Sequence, residues 1–191
     1  MSNEKKIIGL TGPIGAGKNE VAKILRRRGA YIIDADEIGH KLFVPQSDVW
    51  CRIVEAFGSR VLNRGGAINR HKLGQIVFPD HKKLNILNSI THPKIIEAIK
   101  EEIKDKKGII VINAALPELF EGLVDQTIVV IASKEKRLKR LLKQGRSKTE
   151  AEKRIKSQMP QKEYLKLADI IIKNDGTRKQ LQDQIKNLKI A

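Results

Sequence analysis

The sequence predicts a three-layer α/β fold: a central parallel sheet between helices, an inserted helical subdomain and a helical lid. Three observations predict it. Short apolar runs alternate with amphipathic helical stretches, the pattern of strand–helix–strand units with right-handed crossovers. The first run turns through a glycine-rich loop into a helix. A long helical block then separates the second run from the third.

The first run, Ile7-Ile8-Gly9-Leu10-Thr11, leads into Gly12-Pro13-Ile14-Gly15-Ala16-Gly17-Lys18-Asn19. Gly12 and Gly17-Lys18 have the G-x-x-x-x-G-K spacing of a phosphate-binding loop (P-loop). Glycines let backbone N–H groups turn toward an anion with no Cβ in the way. A helix opening at Lys18 adds its unpaired amides and the positive end of its dipole. The lysine adds a mobile charge for the outer phosphates. Asn19 stands where the motif calls for a Ser or Thr hydroxyl on Mg²⁺; its side-chain oxygen is also a ligand for a hard cation.

The first helix carries Val21, Ala22, Ile24 and Leu25 on one face and ends at Arg26-Arg27-Arg28-Gly29, a basic last turn with a glycine stop. Ala30–Ile33 reads as the second strand. It runs into Asp34-Ala35-Asp36, two carboxylates at the strand end where open parallel sheets bind ligands. One of them could equally cap the helix that follows, and the two readings are compatible. Residues 48–62 read as helical, with Val49, Ile53, Val54 and Phe57 on one stripe. Beyond the turn Asn63–Gly66, helical segments extend to about Lys106 with expected breaks at Phe78-Pro79-Asp80 and His92-Pro93. His92 suits a turn as well as a site.

Gly108–Asn113 and Thr127–Ile131 are the third and fourth strands, uninterrupted apolar runs suited to central parallel positions. Asn113 ends its strand where many phosphate-loop enzymes carry a Mg²⁺-linked Asp. Lys134–Arg146 is helical and dense with cations, breaks at Gly145, and is followed by a helix from Thr149 to about Gln158. Two cationic helices meeting at a glycine beside a phosphate loop read as a lid, against the plainer reading of a solvated basic face. Ala168–Ile172 is the last strand, turned by Asn174-Asp175-Gly176 into a closing helix.

Composition bounds the function. With 191 residues, 40% hydrophobic and 31% charged, the chain suits one soluble globular domain. Its 38 Lys and Arg against 22 Asp and Glu give +16, an excess that attracts polyanions, whether nucleic acid or phosphorylated small molecules. Four Phe, two Tyr and one Trp poorly supply a stacking platform for single strands. Cys51, the single cysteine, reads as a small core residue and forms no internal disulfide, which points to a reducing compartment. No run approaches membrane-spanning length, and no signal-peptide core leads the first strand. The expected location is the cytoplasm.

Over about residues 6–190 the chain resembles the dephospho-coenzyme A kinase family of P-loop kinases. The resemblance is carried by Gly9–Gly12 with Ile14-Gly15, by Ile33–Asp36, and by Leu62-Asn63 through Ile68–Arg70 with Val77-Phe78. Ile90–Pro93, Arg154-Ile155, Ser157-Gln158, Pro160, Ala168-Asp169, Ile172 and Asn174–Gly176 continue it in order. It implies a P-loop NTPase fold in a single kinase domain. The core would take about 5–44, 107–133 and 167–191, with a substrate-binding insertion at 45–106 and a lid at 134–166. The activity implied is transfer of the ATP γ-phosphoryl to the ribose 3′-hydroxyl of dephospho-CoA, giving CoA and ADP.

By the same resemblance Asp36 is the general base, with Lys18 and Arg140 completing the catalytic set. ATP would lie on Gly12, Pro13, Ile14, Gly15, Ala16, Gly17, Lys18, Asn19 and Glu20, with Arg140, Asn174 and Gly176. Thr11, Asp34, Asp36, Arg70 and His92 would meet the acceptor, and Asn19 and Asp36 would hold Mg²⁺. The partners implied are small molecules, with neither nucleic acid nor membrane, and a monomer or weak homo-oligomer. Asn19, Glu20 and Lys143 depart from the family's usual hydroxyl, hydroxyl and arginine, and Ala115–Glu121 only loosely echoes its Pro-Leu-Leu-Phe-Glu segment. The alternatives are a P-loop kinase of another nucleoside or nucleotide, and a basic nucleic-acid-binding protein with a degenerate loop.

Overall fold

A computed structural model describes residues 5–188, and it divides the chain into two compact units. One takes the chain up to Asp34 and from Asp105 onward; the other is Ala35–Lys104.

The first unit is built on a five-stranded, wholly parallel sheet: β1 (Lys6–Thr11), β2 (Tyr31–Asp34), β3 (Ile109–Asn113), β4 (Gln126–Ile131) and β5 (Ile170–Lys173). The order is β2-β3-β1-β4-β5, so β1 and its loop are central. Register places Leu10 beside Asn113 on one side and Ile128 on the other. Side chains alternate across the sheet. Ile8, Leu10, Val111, Ile128, Val130 and Ile172 form one buried face. Helices α1 (Lys18–Arg27) and α9 (Arg178–Lys186) cover it with Val21, Leu25, Leu181 and Ile185. Opposite, Phe120 lies over Gly9, where a Cβ would come within 2.6 Å of its ring. Three helices carry the cationic segment: α6 (Lys134–Lys143), α7 (Lys148–Ser157) and a short α8 (Gln161–Lys166) that the sequence reading did not separate. Tyr164 of α8 is buried, and its hydroxyl donates to the Ala115 carbonyl at 3.3 Å.

The second unit is helical: α2 (Ala35–Lys41), α3 (Asp48–Phe57), α4 (Arg70–Val77) and α5 (His81–Lys104). Val49, Ile53, Phe57, Val61, Leu73, Val77 and Ile90 form its core. Its caps follow sequence: the Ser47 hydroxyl accepts from Trp50 N–H, and Asn69 Oδ1 accepts from the His71 and Lys72 amides.

Two expectations are corrected. The break at His92-Pro93 is absent, since α5 runs unbroken through Pro93. Ile90, Ile95, Ile99 and Ile103 keep one buried stripe across the proline, and that packing outweighs the missing N–H. Cys51 is exposed. The buried positions of α3 are spaced by four, at Val49, Ile53 and Phe57, and residue 51 falls on the opposite side.

Because Pro93 is exposed within a helix, Pro93→Ala should raise stability by about 1–3 kcal/mol. Urea unfolding of the two proteins measures it.

Candidate active site

The loop between β1 and α1 owes its shape to glycine. Gly12, Gly15 and Gly17 have φ of 144°, 77° and 101°, a region that side chains disfavour. Space is equally restrictive: a Cβ at Gly12 would lie 2.1 Å from the Val130 carbonyl oxygen, and one at Gly17 2.1 Å from Asn174 Nδ2. Gly17 is the N-cap of α1 and no side chain caps that end. The positive end of the helix dipole is therefore not offset by a capping side chain, and the Glu20 N–H turns back to Gly17 O at 3.0 Å. Lys18 is the first residue of the helix and is half-buried; Glu20 sits in the same turn.

The loop's carbonyls are drawn the other way. Arg137 Nε donates to Ile14 O at 2.8 Å. Arg140 Nη1 donates to Gly15 O at 3.1 Å and Ala16 O at 3.0 Å, and its Nη2 to Asn174 O at 2.6 Å. Asn174 Nδ2 adds a second bond to Ala16 O at 2.8 Å. Consecutive peptide units are thus held by their oxygens, which turns the Gly15 and Gly17 N–H groups the other way, toward an anion, while the Ile14 N–H is taken by Gln158 Oε1 and the Ala16 N–H by Pro13 O at 3.0 Å. Arg137 is buried, and burial pushes its guanidinium below the ordinary value, though an arginine stays charged. It was not singled out from sequence. The available signal was a cation at 137 on the stripe that four residues later holds buried Leu141.

At the neighbouring strand ends Asn113 Nδ2 donates to both Asn19 Oδ1, at 3.1 Å, and Asp34 Oδ2, at 3.2 Å. Two acceptors fix the orientation of that amide. Asn113 Oδ1 and Thr11 Oγ1 are buried, with no hydrogen-bond partner among the described residues. Leaving such atoms unpaired costs about 1–3 kcal/mol each. Asn19, Asp34 and Asn113 therefore bring several oxygen acceptors together, a donor set suited to a hard divalent cation. Asn113 thus ties Asn19 of α1 to the end of β2.

Asn174–Gly176 close one side of the loop. Asp175 Oδ1 accepts from the Ser133 amide at 2.7 Å, and that bond holds its carboxyl below the usual range. An open cavity of about 520 Å³ lies here, lined by Gly17, Asn19, Arg140, Lys143, Asn174 and Gly176, among others. Thr11, Asp34, Asn174, Gly176 and Arg140 are thus gathered with the loop in one unit. Asp36, Arg70 and His92 belong to the helical unit. Asp36 is exposed in the first turn of α2, Arg70 is exposed at the start of α4, and His92 is half-buried in α5.

A family described as dephospho-CoA kinase matches residues 6–180. The chain belongs to the dephospho-CoA kinase family. It is 43% identical over 186 residues to a dephospho-CoA kinase of Carboxydothermus hydrogenoformans, across 94% of this chain and 90% of that one. A crystal structure of a Thermus thermophilus protein superposes with a TM-score of 0.80 at 30% identity, covering 96% of this chain and 95% of that one. A dephospho-CoA kinase from Campylobacter jejuni gives 0.67 at 31%, covering 95% and 94%. The dephospho-CoA kinases are phosphotransferases on the P-loop fold that the sheet and loop display, and neither alternative reading of the sequence is favoured.

Two expectations arise from this site. Gly17→Ala forces a methyl against Asn174 and should weaken binding of a fluorescent ADP analogue at least tenfold while leaving far-UV circular dichroism unchanged. Asp175, depressed in the fold, contributes stability above the unfolded carboxyl pKa and loses it as pH falls through the folded value. Asp175→Asn should therefore flatten the stability profile below about pH 4, measured by thermal unfolding across pH.

Proposed function

We propose that this chain phosphorylates the ribose 3′-hydroxyl of dephospho-CoA with ATP, yielding CoA and ADP. One observation carries the reading: a glycine loop whose carbonyls are pinned by Arg137, Arg140 and Asn174, beside an acidic strand end. Family membership supplies the substrate class.

The ATP phosphates bind the loop amides and the α1 N-terminus, and Lys18 contacts the outer phosphates. Arg140 lies behind the loop carbonyls. It acts there by holding the cradle and by adding fixed positive charge near the transferring group. Asn174 and Gly176 border the nucleotide end of the cavity. Asp36, in the first turn of α2, accepts the proton of the 3′-hydroxyl as its oxygen attacks the γ-phosphorus. Arg70 and His92, in the helical unit, bind the acceptor, as Thr11 and Asp34 do at the strand ends. The insertion and lid of the family pattern correspond to residues 45–106 and 134–166 in this reading.

Asn19 Oδ1 and the carboxylates of Asp34 and Asp36 are the groups for Mg²⁺, with Asn113 orienting the first two. Bound there, the ion would offset charge on the phosphates. The neutral amide of Asn19 replaces the usual hydroxyl with a stronger oxygen donor of longer reach. No described helix is long and apolar enough to cross a membrane. A cytoplasmic monomer or weak homo-oligomer acting on small molecules fits the reading.

Incubation with ATP–Mg²⁺ and dephospho-CoA, adenosine or AMP tests the assignment: ADP should appear rapidly with dephospho-CoA alone. Asp36→Asn should lower turnover by about 10³-fold or more while affinity for ATP measured without Mg²⁺ stays within about threefold, because the base and a Mg²⁺ ligand are lost but the phosphate cradle is not. Near-normal turnover in that variant removes Asp36 from the role.

A further inference from the structure

The Ile14 peptide is gripped at both ends. Its carbonyl accepts from Arg137 Nε at 2.8 Å, and its N–H donates to Gln158 Oε1 at 2.6 Å. Gln158 directly follows α7, 144 residues along the chain from Ile14, so the contact is not a product of local sequence. A backbone donor requires the carbonyl side of the glutamine amide, which settles which atom faces the loop. Its Nε2 consequently points away from the Ile14 amide, and it donates to no described residue. Gln158 is half-buried, and its Nε2 is not among the fully buried side-chain atoms that lack a partner.

The chemistry of this pairing is a relay. One loop amide, which would otherwise face an anion directly, is satisfied by an acceptor whose other half is a two-proton donor. We infer that Gln158 extends the cradle: Oε1 is anchored by Ile14 N–H, and Nε2 donates to an oxygen of the nucleotide's terminal phosphate. The side chain replaces a short, fixed donor with one that reaches farther and is still oriented by the backbone. Arg137 supports it by holding the next peptide unit, Ile14–Gly15, by its carbonyl, so that the two units flanking the Ile14 Cα are both fixed. The inference rests on the reading of this loop as the ATP phosphate site.

A purely structural latch and a phosphate donor respond oppositely to two substitutions. Gln158→Glu keeps an oxygen for Ile14 N–H but sets a carboxylate where the phosphate is met. Gln158→Lys loses the acceptor and keeps a donor. ATP affinity is read by displacement of a fluorescent ADP analogue, and kcat and KM are measured with dephospho-CoA. The donor role predicts that Gln158→Glu weakens ATP binding tenfold or more at pH 8, while Gln158→Lys stays within about threefold of wild type. It also predicts that the Gln158→Glu deficit narrows toward pH 6, as the neighbouring phosphate raises the carboxyl pKa and restores a donor proton. ATP binding by Gln158→Glu equal to wild type, or a pH-independent deficit shared by both variants, overturns the inference. Should either variant fail to fold, the other alone decides, since each has an opposite expectation under the two roles. Wild-type protein that binds ATP but does not phosphorylate dephospho-CoA would instead remove the proposed function and leave the binding comparison standing.

Discussion

Everything at this site depends on where three carbonyl groups point. Ile14, Gly15 and Ala16 each surrender their oxygen to a side chain outside the loop. A peptide unit whose oxygen is fixed has its N–H fixed in the opposite direction, so the Gly15 and Gly17 amides of the anion cradle are set from behind, while the Ala16 N–H closes the loop onto Pro13 O. Glycine makes the conformation accessible but does not select it. Selection comes from two arginines and an asparagine more than a hundred residues away.

The same division explains what could be read in the sequence. The strands, the loop and the acidic strand end are local patterns: period, spacing and residue type were enough for Ile8-Leu10, Gly12–Lys18 and Asp34. The braces are not local. Arg137 sits in a run of cations and differs from its neighbours only by lying on the buried stripe, while Gln158 directly follows α7, where the family resemblance includes it but no local period shows its partner. Both acquire meaning only when the cationic helices are folded against the loop that follows β1. Pro93 and Cys51 were misread for a related reason. A proline's local preference and a cysteine's usual burial were each overruled by the face their helix turns to the core.

Asn19 and Asn113 present a different lesson. Each, viewed alone, departs from a common residue at its motif position. In the fold they meet, and one amide hydrogen-bond donor serves both the loop and the β2 carboxylate. Two neutral amides in contact orient each other without adding charge, so the departures work as a pair. The orphaned Asn113 oxygen shows that this pair still has acceptor capacity.

The order of the chain has its own bearing on the loop. A polypeptide leaving the ribosome displays Gly12–Lys18 long before Asn174, which lies 158 residues beyond Ala16 and follows strand β5. Until then the glycines remain a pliable segment with no preference for a triphosphate. An incomplete translation product ending before Asn174 would therefore not sequester cellular nucleotide, and competence is acquired only once Asn174 has been made.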